Sequence, residues 1–262
     1  MQIPYSAIFG LDVSKTAKSP SIWNLKYKEL NSNQIMVATD CDNLTFDLEL
    51  RKKLDDKLFK GGLLAAPLKN HQSIMKYQLS KVAEKSNAVN CFRKFQNKIE
   101  CDNFDGIAAV TAMEEEWSKE ILLNSKIAIF GTGPVARSIF NQLLFNGNSS
   151  KEIDFFSRYG NRKLYNNEVQ DLKKFELRKS SYNLLINATK LGNPSSPGAP
   201  ITKDIFRNLS KSTKYFDCNY LRDSEPTGVQ LARKMGMFAL DGVRMNQIQA
   251  RLAFNFVNYD II

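Results

Sequence analysis

The stretch "KIAIFGTGPVARSIF", residues 126–140, restricts the possible folds more than any other part of the sequence. Its apolar start predicts a buried strand, and the apolar pattern after Pro134 predicts a helix with proline in its first turn. Between them lies Gly131-x-Gly133-x-x-Ala136, in the strand–loop–helix order that a dinucleotide-binding fingerprint requires. Gly131 permits a tight turn, Gly133 lets the backbone approach a pyrophosphate, and Ala136 allows close packing of helix on strand.

This loop predicts a site for the phosphates of a dinucleotide cofactor, because the free N–H groups at the start of a helix bind anions. Pro134 removes one of these N–H groups, which costs little in the first turn. The residues expected at the phosphates are Gly131, Thr132, Gly133, Pro134 and Val135. Taken alone, the motif also fits a turn with a purely structural role.

The segment at the end of the next predicted strand, "FFSRYGNR", indicates which cofactor binds. An NAD site usually places Asp or Glu there for the ribose 2′-hydroxyl, whereas this segment carries Ser157, Arg158 and Arg162 and no acidic residue. A guanidinium group suits a 2′-phosphate, which a carboxylate would repel. The sequence therefore favours NADP over NAD, with two exposed surface arginines as the alternative.

The second half of the chain alternates between strand and helix patterns. Strands are predicted over 126–130, 152–157, 182–189 and 212–220, with helical stretches between several of them. Such alternation predicts a parallel sheet covered on both faces. The first half is also mixed and includes a helix over 19–31 and a hairpin around "FQNK", and a long amphipathic helix ends the chain. The predicted fold class is α/β.

Composition predicts a globular protein of a reducing compartment. Hydrophobic residues make up 43% and charged residues 24% of the 262 residues, which is ordinary for a soluble domain. No apolar run approaches the about 18 residues of a membrane helix, and the first ten residues lack the layout of a secretory signal. The four cysteines form no CxxC pair and there is one histidine, so we expect no metal site and a cytoplasmic protein.

The formal net charge of +10 has three explanations. Nucleic-acid binding is the first, but the Lys and Arg residues are scattered, without a long basic run or a basic helix stripe. A solvated, lysine-rich surface is the second. The third is that part of the charge attracts a small anionic ligand, because a positive cleft raises the local concentration of such a ligand. We expect no nucleic-acid or membrane partner, and a monomer or homodimer.

Several short motifs occur in the order found in one enzyme family. They are "SPSIWN", "PLK", "NAVN", "DNFDG", "GTGPVAR", "SRYGNR", "LLINAT" and "DGVRMNQIQA". On these motifs, nearly the whole chain from about Gly10 resembles the shikimate dehydrogenases. The resemblance implies reduction of 3-dehydroshikimate to shikimate with NADPH, a step of aromatic amino-acid biosynthesis. It also implies two α/β domains flanking a cleft: a substrate domain over 1–104, completed by a helix over 243–262, and a Rossmann-type NADP-binding domain over 105–242.

The resemblance points to Lys69 and Asp105 as the catalytic pair. Hydride transfer to a ketone creates negative charge on oxygen, and a positioned cation that can give up a proton meets that need. Lys69 is the expected proton donor, and Asp105 is expected to keep its ammonium group charged and directed. Without the resemblance, an ordinary surface lysine and a turn-forming aspartate would be the better explanations of the two residues.

Other positions match the family one by one. Asn90 and Gln249 match residues that bind ring hydroxyls, Ser19 matches one of two serines that hold the substrate carboxylate, and Tyr220 matches a tyrosine near it. Further matches on the cofactor side are Asn187, Ala188 and Thr189 at a strand end, and Gly242 and Met245 near the nicotinamide. Caps, turns and core packing are the alternative roles for all of these residues.

The sequence departs from the family pattern mainly on the substrate side. Ala17 replaces a carboxylate-binding serine, Leu63 and Ala65 replace an amide and a hydroxyl, Phe104 replaces a threonine and Arg244 replaces a glycine. Each lost polar contact costs on the order of 0.5–1.5 kcal/mol of binding. Arg244 would either bind a carboxylate or block the nicotinamide pocket. The departures leave two alternatives open: an enzyme acting on another cyclic hydroxy or keto acid such as quinate, and a catalytically silent NADP-binding module.

Overall fold

The computed structural model describes residues 3–160, 162–193, 196–221 and 223–261. The chain forms two compact units: Met1–Asp105 with Ile248–Ile262 (unit 1), and Gly106–Gln247 (unit 2). Each unit contains a sheet made mostly of parallel strands with helices. The predicted α/β fold class, with a Rossmann-type parallel sheet in the second unit, is confirmed. The domain boundaries after residues 104 and 242 stay a prediction.

Unit 1 contains a six-stranded sheet in the order β2-β1-β3-β5-β6-β4. Its strands are β1 (Tyr5–Gly10), β2 (Ile35–Asp40), β3 (Phe59–Leu64), β4 (Gln78–Leu79), β5 (Cys91–Phe95) and β6 (Lys98–Asp102). Its helices before residue 105 are α1 (Val13–Thr16), α2 (Ser19–Glu29), α3 (Phe46–Asp55), α4 (Gln72–Met75) and α5 (Lys81–Ser86), with a 3-10 turn over Leu68–Asn70. Strands β1, β2 and β3 pair in parallel, whereas β5 pairs antiparallel with both β3 and β6.

The hairpin predicted around "FQNK" is confirmed as β5 and β6. Gln96 and Asn97 form its turn with φ angles of 45° and 64°, as a two-residue turn between twisted antiparallel strands requires. Asparagine tolerates this conformation better than most residues do. Consequently the polar pair at 96–97 fixes the register of the two strands.

Unit 2 contains a seven-stranded sheet in the order β13-β12-β11-β7-β8-β10-β9. Its strands are β7 (Ile127–Phe130), β8 (Ile153–Ser157), β9 (Arg162–Leu164), β10 (Asn167–Asp171), β11 (Leu184–Asn187), β12 (Lys214–Asp217) and β13 (Phe238–Leu240). The helices that lie wholly or partly in unit 2 are α6 (Asp105–Trp117), α7 (Lys119–Leu123), α8 (Pro134–Phe145), α9 (Leu172–Arg178), α10 (Lys203–Arg207), α11 (Thr227–Lys234) and α12 (Val243–Val257), with 3-10 turns over Ser150–Glu152 and Lys179–Ser181. Helices α6 and α12 both cross the boundary between the units.

The centre of this sheet is parallel and buried on both faces. All four residues of β7 and all four of β11 are buried, as expected for strands with helices on both sides. Phe130, Phe156, Phe175 and Tyr182 pack together in one of its core clusters. The sequence did not predict the β9–β10 hairpin, whose strands carry no apolar run, or β13, whose apolar run is only three residues long.

The last helix is fixed to the hairpin of unit 1 by Arg93. Its guanidinium carbon lies 4.4 Å from the ring centre of Phe256 and 4.9 Å from those of Phe95 and Tyr259. The same group donates to Glu100, with Nε 2.8 Å from Oε2, and to the carbonyl oxygen of Phe256. A planar cation suits this stacked and forked arrangement better than a lysine would.

Candidate active site and cofactor site

The structure brings Lys69, Asp105 and Asn90 together in unit 1. Lys69 Nζ lies 2.6 Å from Asp105 Oδ2, with side chains that are 17% and 5% exposed. Asn90 Nδ2 donates to Asp105 Oδ1 over 2.7 Å, and its Oδ1 accepts from the backbone N–H of Phe104. Each carboxylate oxygen therefore has a donor, as a buried charge requires. The ion pair fixes the direction of the Lys69 ammonium group, and Asn90 holds the Asp105 carboxylate through its other oxygen.

Hydrogen bonds to the backbone hold Lys69 and Asp105 in place. Lys69 lies in the 3-10 turn after β3, and its carbonyl oxygen accepts from the N–H of Val89 over 2.6 Å. Asn103 Oδ1 accepts from the N–H of Asp105, while its Nδ2 donates to the carbonyl oxygen of Ala88. Asn103 is 1% exposed. It was missed in the sequence, where only its position two residues before an aspartate, typical of Asx turns, marks it.

The four expected substrate-binding residues fall in both units. Ser19 is the buried first residue of α2, and Gln249 lies half-buried on α12, both in unit 1 with Asn90. Tyr220 belongs to unit 2, where it follows β12 and is half-buried. Burial raises the pKa of the Tyr220 phenol, so the group is neutral and able to donate a hydrogen bond at neutral pH.

Four of the five departures from the family pattern lie together in an apolar cluster of unit 1. Leu63 is 2% exposed and packs with Trp23, Phe254 and other buried side chains. Ala17, Ala65 and Phe104 pack against the same cluster, and the ring of Phe104 meets that of Phe256 edge-on at 5.7 Å. The substitutions thus extend the core toward the segment that carries Asp105.

The fifth departure, Arg244, is paired within unit 2. Its Nε and Nη2 donate to the two carboxylate oxygens of Glu115 over 2.5 and 2.9 Å. This forked pair joins the start of α12 to α6 and raises the pKa of Arg244 through its hydrogen bonds. The guanidinium charge is therefore balanced by a carboxylate of its own unit, and both roles considered from the sequence stay predictions.

The glycine loop has the geometry that the fingerprint predicts. Gly131 has φ +106°, and a Cβ there would lie 2.9 Å from the carbonyl oxygen of Ala188, so only glycine fits. A Cβ on Gly133 would meet nothing within 4 Å. Helix α8 starts after Gly133 without a side-chain cap, which leaves the N–H groups of Val135 and Ala136 without intrahelical acceptors. Pro134 is at its first turn.

A cavity of about 320 Å³ opens beside this loop in unit 2. The lining includes five of the predicted cofactor residues: Gly131, Thr132, Ser157, Arg158 and Thr189. Ser157 Oγ donates to the carbonyl oxygen of Tyr159 over 2.7 Å and shapes the turn after β8. The Arg158 guanidinium lies 5.9 Å from the Tyr159 ring centre. Arg162 begins β9, and its side chain lies outside the described residues.

The loop after β11 is held by a buried hydrogen-bond network that the sequence did not reveal. Asn187 is fully buried; its Oδ1 accepts from the N–H and hydroxyl of Thr189, and its Nδ2 donates to Asp217 Oδ2 over 2.9 Å. Asn219 Nδ2 donates to Asp217 Oδ1 and to the carbonyl oxygens of Thr189 and Leu191. The Asn187 side chain therefore shapes the cavity wall through Thr189.

Asp217 predicts a change in stability with pH. Burial raises its pKa, against the hydrogen bonds from Asn187 and Asn219 that lower it. A carboxyl group with a raised pKa favours the folded state at low pH, and this contribution is lost as the pH rises through the raised value. Wild-type protein should therefore lose stability relative to Asp217→Asn as the pH rises above about 4, the usual range for aspartate.

Urea unfolding of both proteins across this pH range measures the difference. Asp42→Asn is the matched control, because Asp42 is only half-buried, whereas Asp217 is fully buried, and hydrogen bonds from Thr45 lower the pKa of Asp42. Its contribution has the opposite sign and is lost as the pH falls. A difference between wild type and Asp217→Asn that stays constant with pH would contradict the assignment of Asp217 as a desolvated carboxyl group.

Gly242, Met245 and Ala188, three other predicted cofactor residues, do not line the cavity beside the glycine loop. The N–H of Gly242 donates to the carbonyl oxygen of Asn219 over 2.9 Å, and a Cβ on Gly242 would strike the backbone of Cys218. Met245 is 7% exposed. The N–H of Ala188 donates to the carbonyl oxygen of Phe130, which fixes the loop after β11 to β7.

Known proteins that are similar to this chain over nearly its whole length share one name. A protein named shikimate dehydrogenase (NADP(+)) from Methanococcus maripaludis is 26% identical over 247 residues, which are 90% of this chain and 85% of the relative. One of the same name from Buchnera aphidicola is 28% identical over 263 residues, 95% of this chain and 90% of the relative. The chain is a divergent relative of the shikimate dehydrogenases. The resemblance predicted from the eight motifs is confirmed.

Solved shikimate dehydrogenases have the same fold. The enzyme of Thermus thermophilus, crystallised with NADP(H) and shikimate, aligns with a TM-score of 0.81 over 98% of this chain and 94% of its own, at 21% identity. No family model matches the chain, in line with its distance from the named shikimate dehydrogenases. None of the helices in the described part of the chain is long and apolar enough to span a membrane. Among those residues, no cluster of His, Cys, Asp and Glu suits a metal ion.

Proposed function

We propose that the protein catalyses the NADP-dependent reduction of 3-dehydroshikimate to shikimate. The observation that carries the proposal is the partly buried ion pair of Lys69 and Asp105, 2.6 Å apart and held by Asn90. Support comes from similarity to proteins named shikimate dehydrogenase (NADP(+)) over 90–95% of the chain. A pure binding protein would have no chemical need for a directed ammonium group inside such a pair.

Lys69 is the proposed proton donor and Asp105 its positioning residue. Bound NADPH supplies the hydride, and the ketone oxygen becomes an alkoxide as the hydride reaches carbon. The Lys69 ammonium stabilises this developing charge and then gives the oxygen its proton; solvent water restores the ammonium. In the reverse direction neutral Lys69 accepts the hydroxyl proton. Asp105 holds the amine in place throughout, and Asn90 holds Asp105.

The residues of unit 2 fit NADP. The open space at the Cβ position of Gly133 leaves room for a ligand against the backbone, and the uncapped start of α8 offers N–H donors. Arg158 lines the neighbouring cavity and suits the 2′-phosphate. We therefore keep as proposed cofactor contacts the loop residues from Gly131 to Val135, then Ser157, Arg158 and Arg162, the strand end 187–189, and Gly242 with Met245.

The proposed substrate contacts are Ser19, Asn90, Tyr220 and Gln249. All four offer neutral donors or acceptors for ring hydroxyls and a carboxylate. The excess of basic residues, 37 Lys and Arg against 27 Asp and Glu, would attract this small anionic substrate. The proposal keeps the cytoplasmic location and the monomer or homodimer expected from the sequence.

A second substrate class is favoured by one observation. Leu63, Ala65 and Phe104 belong to or pack against one apolar cluster, so this side of the unit offers fewer polar contacts than the family pattern implies. A related cyclic hydroxy or keto acid with fewer polar groups, or quinate, is therefore the alternative substrate. Both alternatives use the same hydride and proton transfer.

Steady-state assays separate these possibilities. We expect oxidation of shikimate with NADP⁺ and reduction of 3-dehydroshikimate with NADPH, followed by nicotinamide absorbance, at a higher kcat/KM than for quinate. Asp55→Asn changes an exposed residue of unit 1 and is the matched control, because its kinetic constants should equal those of wild type. NADPH binding without turnover of either pair at millimolar substrate would contradict the proposal, and turnover of quinate alone would favour the alternative.

A further inference from the structure

The cofactor cavity of unit 2 contains a second cation that the sequence did not single out. Lys190 lines the cavity together with Arg158. The described lining residues include no Asp or Glu, so these two positive charges face no carboxylate across it. A cavity with this charge pattern favours an anionic ligand with more than one negative charge.

The two cations come from opposite sides of the glycine loop. Strand β8 ends just before Arg158, β11 ends three residues before Lys190, and both strands pair in parallel with β7. Two strand spacings place these strand ends about 10 Å apart, at the same edge of the sheet. The flexible four-carbon stem of a lysine and the long arm of an arginine can bridge such a distance to one phosphate between them.

The position of Lys190 is fixed by the network below it. Thr189 is held by Asn187, and the N–H of Leu191 donates to the Thr189 hydroxyl over 3.1 Å. The carbonyl oxygens of Thr189 and Leu191 both accept from Asn219. Consequently the backbone on either side of Lys190 is tied to the buried carboxylate of Asp217, while the Lys190 side chain is exposed.

We propose that Lys190 binds the 2′-phosphate of NADP together with Arg158 and so contributes to the preference for NADP over NAD. The inference rests on the proposed function, because it assigns a further specificity residue to the same cofactor site. A dianionic phosphate gains a charge-assisted hydrogen bond from each cation. The 5′-phosphate, which the glycine loop binds, gains nothing from Lys190 in this arrangement.

Binding of 2′,5′-ADP and 5′-AMP to the full-length protein, measured by calorimetry, tests the inference because the two ligands differ only in the 2′-phosphate. Lys190→Gln should weaken 2′,5′-ADP binding roughly 10-fold, the loss of one charge-assisted hydrogen bond, and leave 5′-AMP binding unchanged. Arg158→Gln should show the same selectivity. Lys190→Arg, which keeps the charge, should restore most of the affinity.

Lys173→Gln is the matched control, since this exposed lysine follows the cavity-lining Leu172 but does not line the cavity. It removes the same charge nearby and should leave the ratio of the two affinities unchanged. Wild-type preference for 2′,5′-ADP with an unchanged ratio in Lys190→Gln would overturn this inference alone. Equal weakening of both ligands in Lys190→Gln would also overturn it, by placing Lys190 at the 5′-phosphate. Wild type without any preference would overturn both the inference and the NADP dependence.

Discussion

Replacement of Lys69 by Met is expected to lower kcat for ketone reduction by about 10²- to 10⁴-fold, the range of a lost general acid. Methionine keeps the length and the apolar stem of lysine but has no proton to give. NADPH should bind with unchanged affinity, because the predicted cofactor contacts lie in unit 2 and Lys69 lies in unit 1. Single-turnover kinetics and NADPH fluorescence titration measure the two effects separately.

Lys69→Met also leaves Asp105 without its cationic partner, which lowers the stability of the folded protein. Removing one member of a buried ion pair costs about 3–5 kcal/mol of stability, and Asp105 is 5% exposed here. The double variant Lys69→Met with Asp105→Asn removes that unpaired charge and should recover stability without recovering turnover. A folded Lys69→Met protein with near wild-type kcat would show that Lys69 is not the proton donor.

Replacement of Asp105 by Asn is expected to lower kcat by about 10- to 100-fold, the effect of losing one charge-assisted hydrogen bond. The amide keeps the shape of the carboxylate, so Asn90 and the backbone of Phe104 stay in place, but it no longer attracts the ammonium group with a full charge. Rapid-mixing kinetics measures kcat, and a titration measures NADPH binding, which should not change.

A double-mutant cycle decides whether Asp105 acts through Lys69. If it does, Asp105→Asn has little further effect on kcat in the Lys69→Met background, because residues that act as a unit are not additive. Asp55→Asn, the same chemical change at an exposed site of unit 1, should leave kcat unchanged. Fully additive losses would mean that Asp105 has a separate role and is not the positioning residue for Lys69.

The sequence predicted the parts of the structure that are determined by residues adjacent in the chain. The loop Gly131–Gly133, β7 and α8 form one continuous segment, so their apolar periods and glycines define a local structure. The hairpin turn at Gln96 and Asn97 is local in the same way. The pairing of Lys69 with Asp105 was expected only from the resemblance, since 36 residues separate them.

What the sequence did not predict depends on distant partners. Asn187 was expected on the cofactor side only from the resemblance, and its hydrogen bond to Asp217, 30 residues away, has no local signal. Lys190 has a role only because β11 and β8 both pair with β7, a property of the sheet order. The contact of the Phe104 ring with Phe256 joins residues 152 positions apart and has no local signal in the sequence.

The stacked Arg93 has a practical consequence for work with this protein. Arg93 lies three residues after Asn90, and its guanidinium group stacks on the rings of Phe256 and Tyr259. A variant that lacks Phe256 and the residues after it loses this stacking. We expect strand β5, which begins directly after Asn90, to be less stable in such a variant. Phe256 and Tyr259 thus support the strand that follows Asn90, and protein engineering should leave both side chains intact.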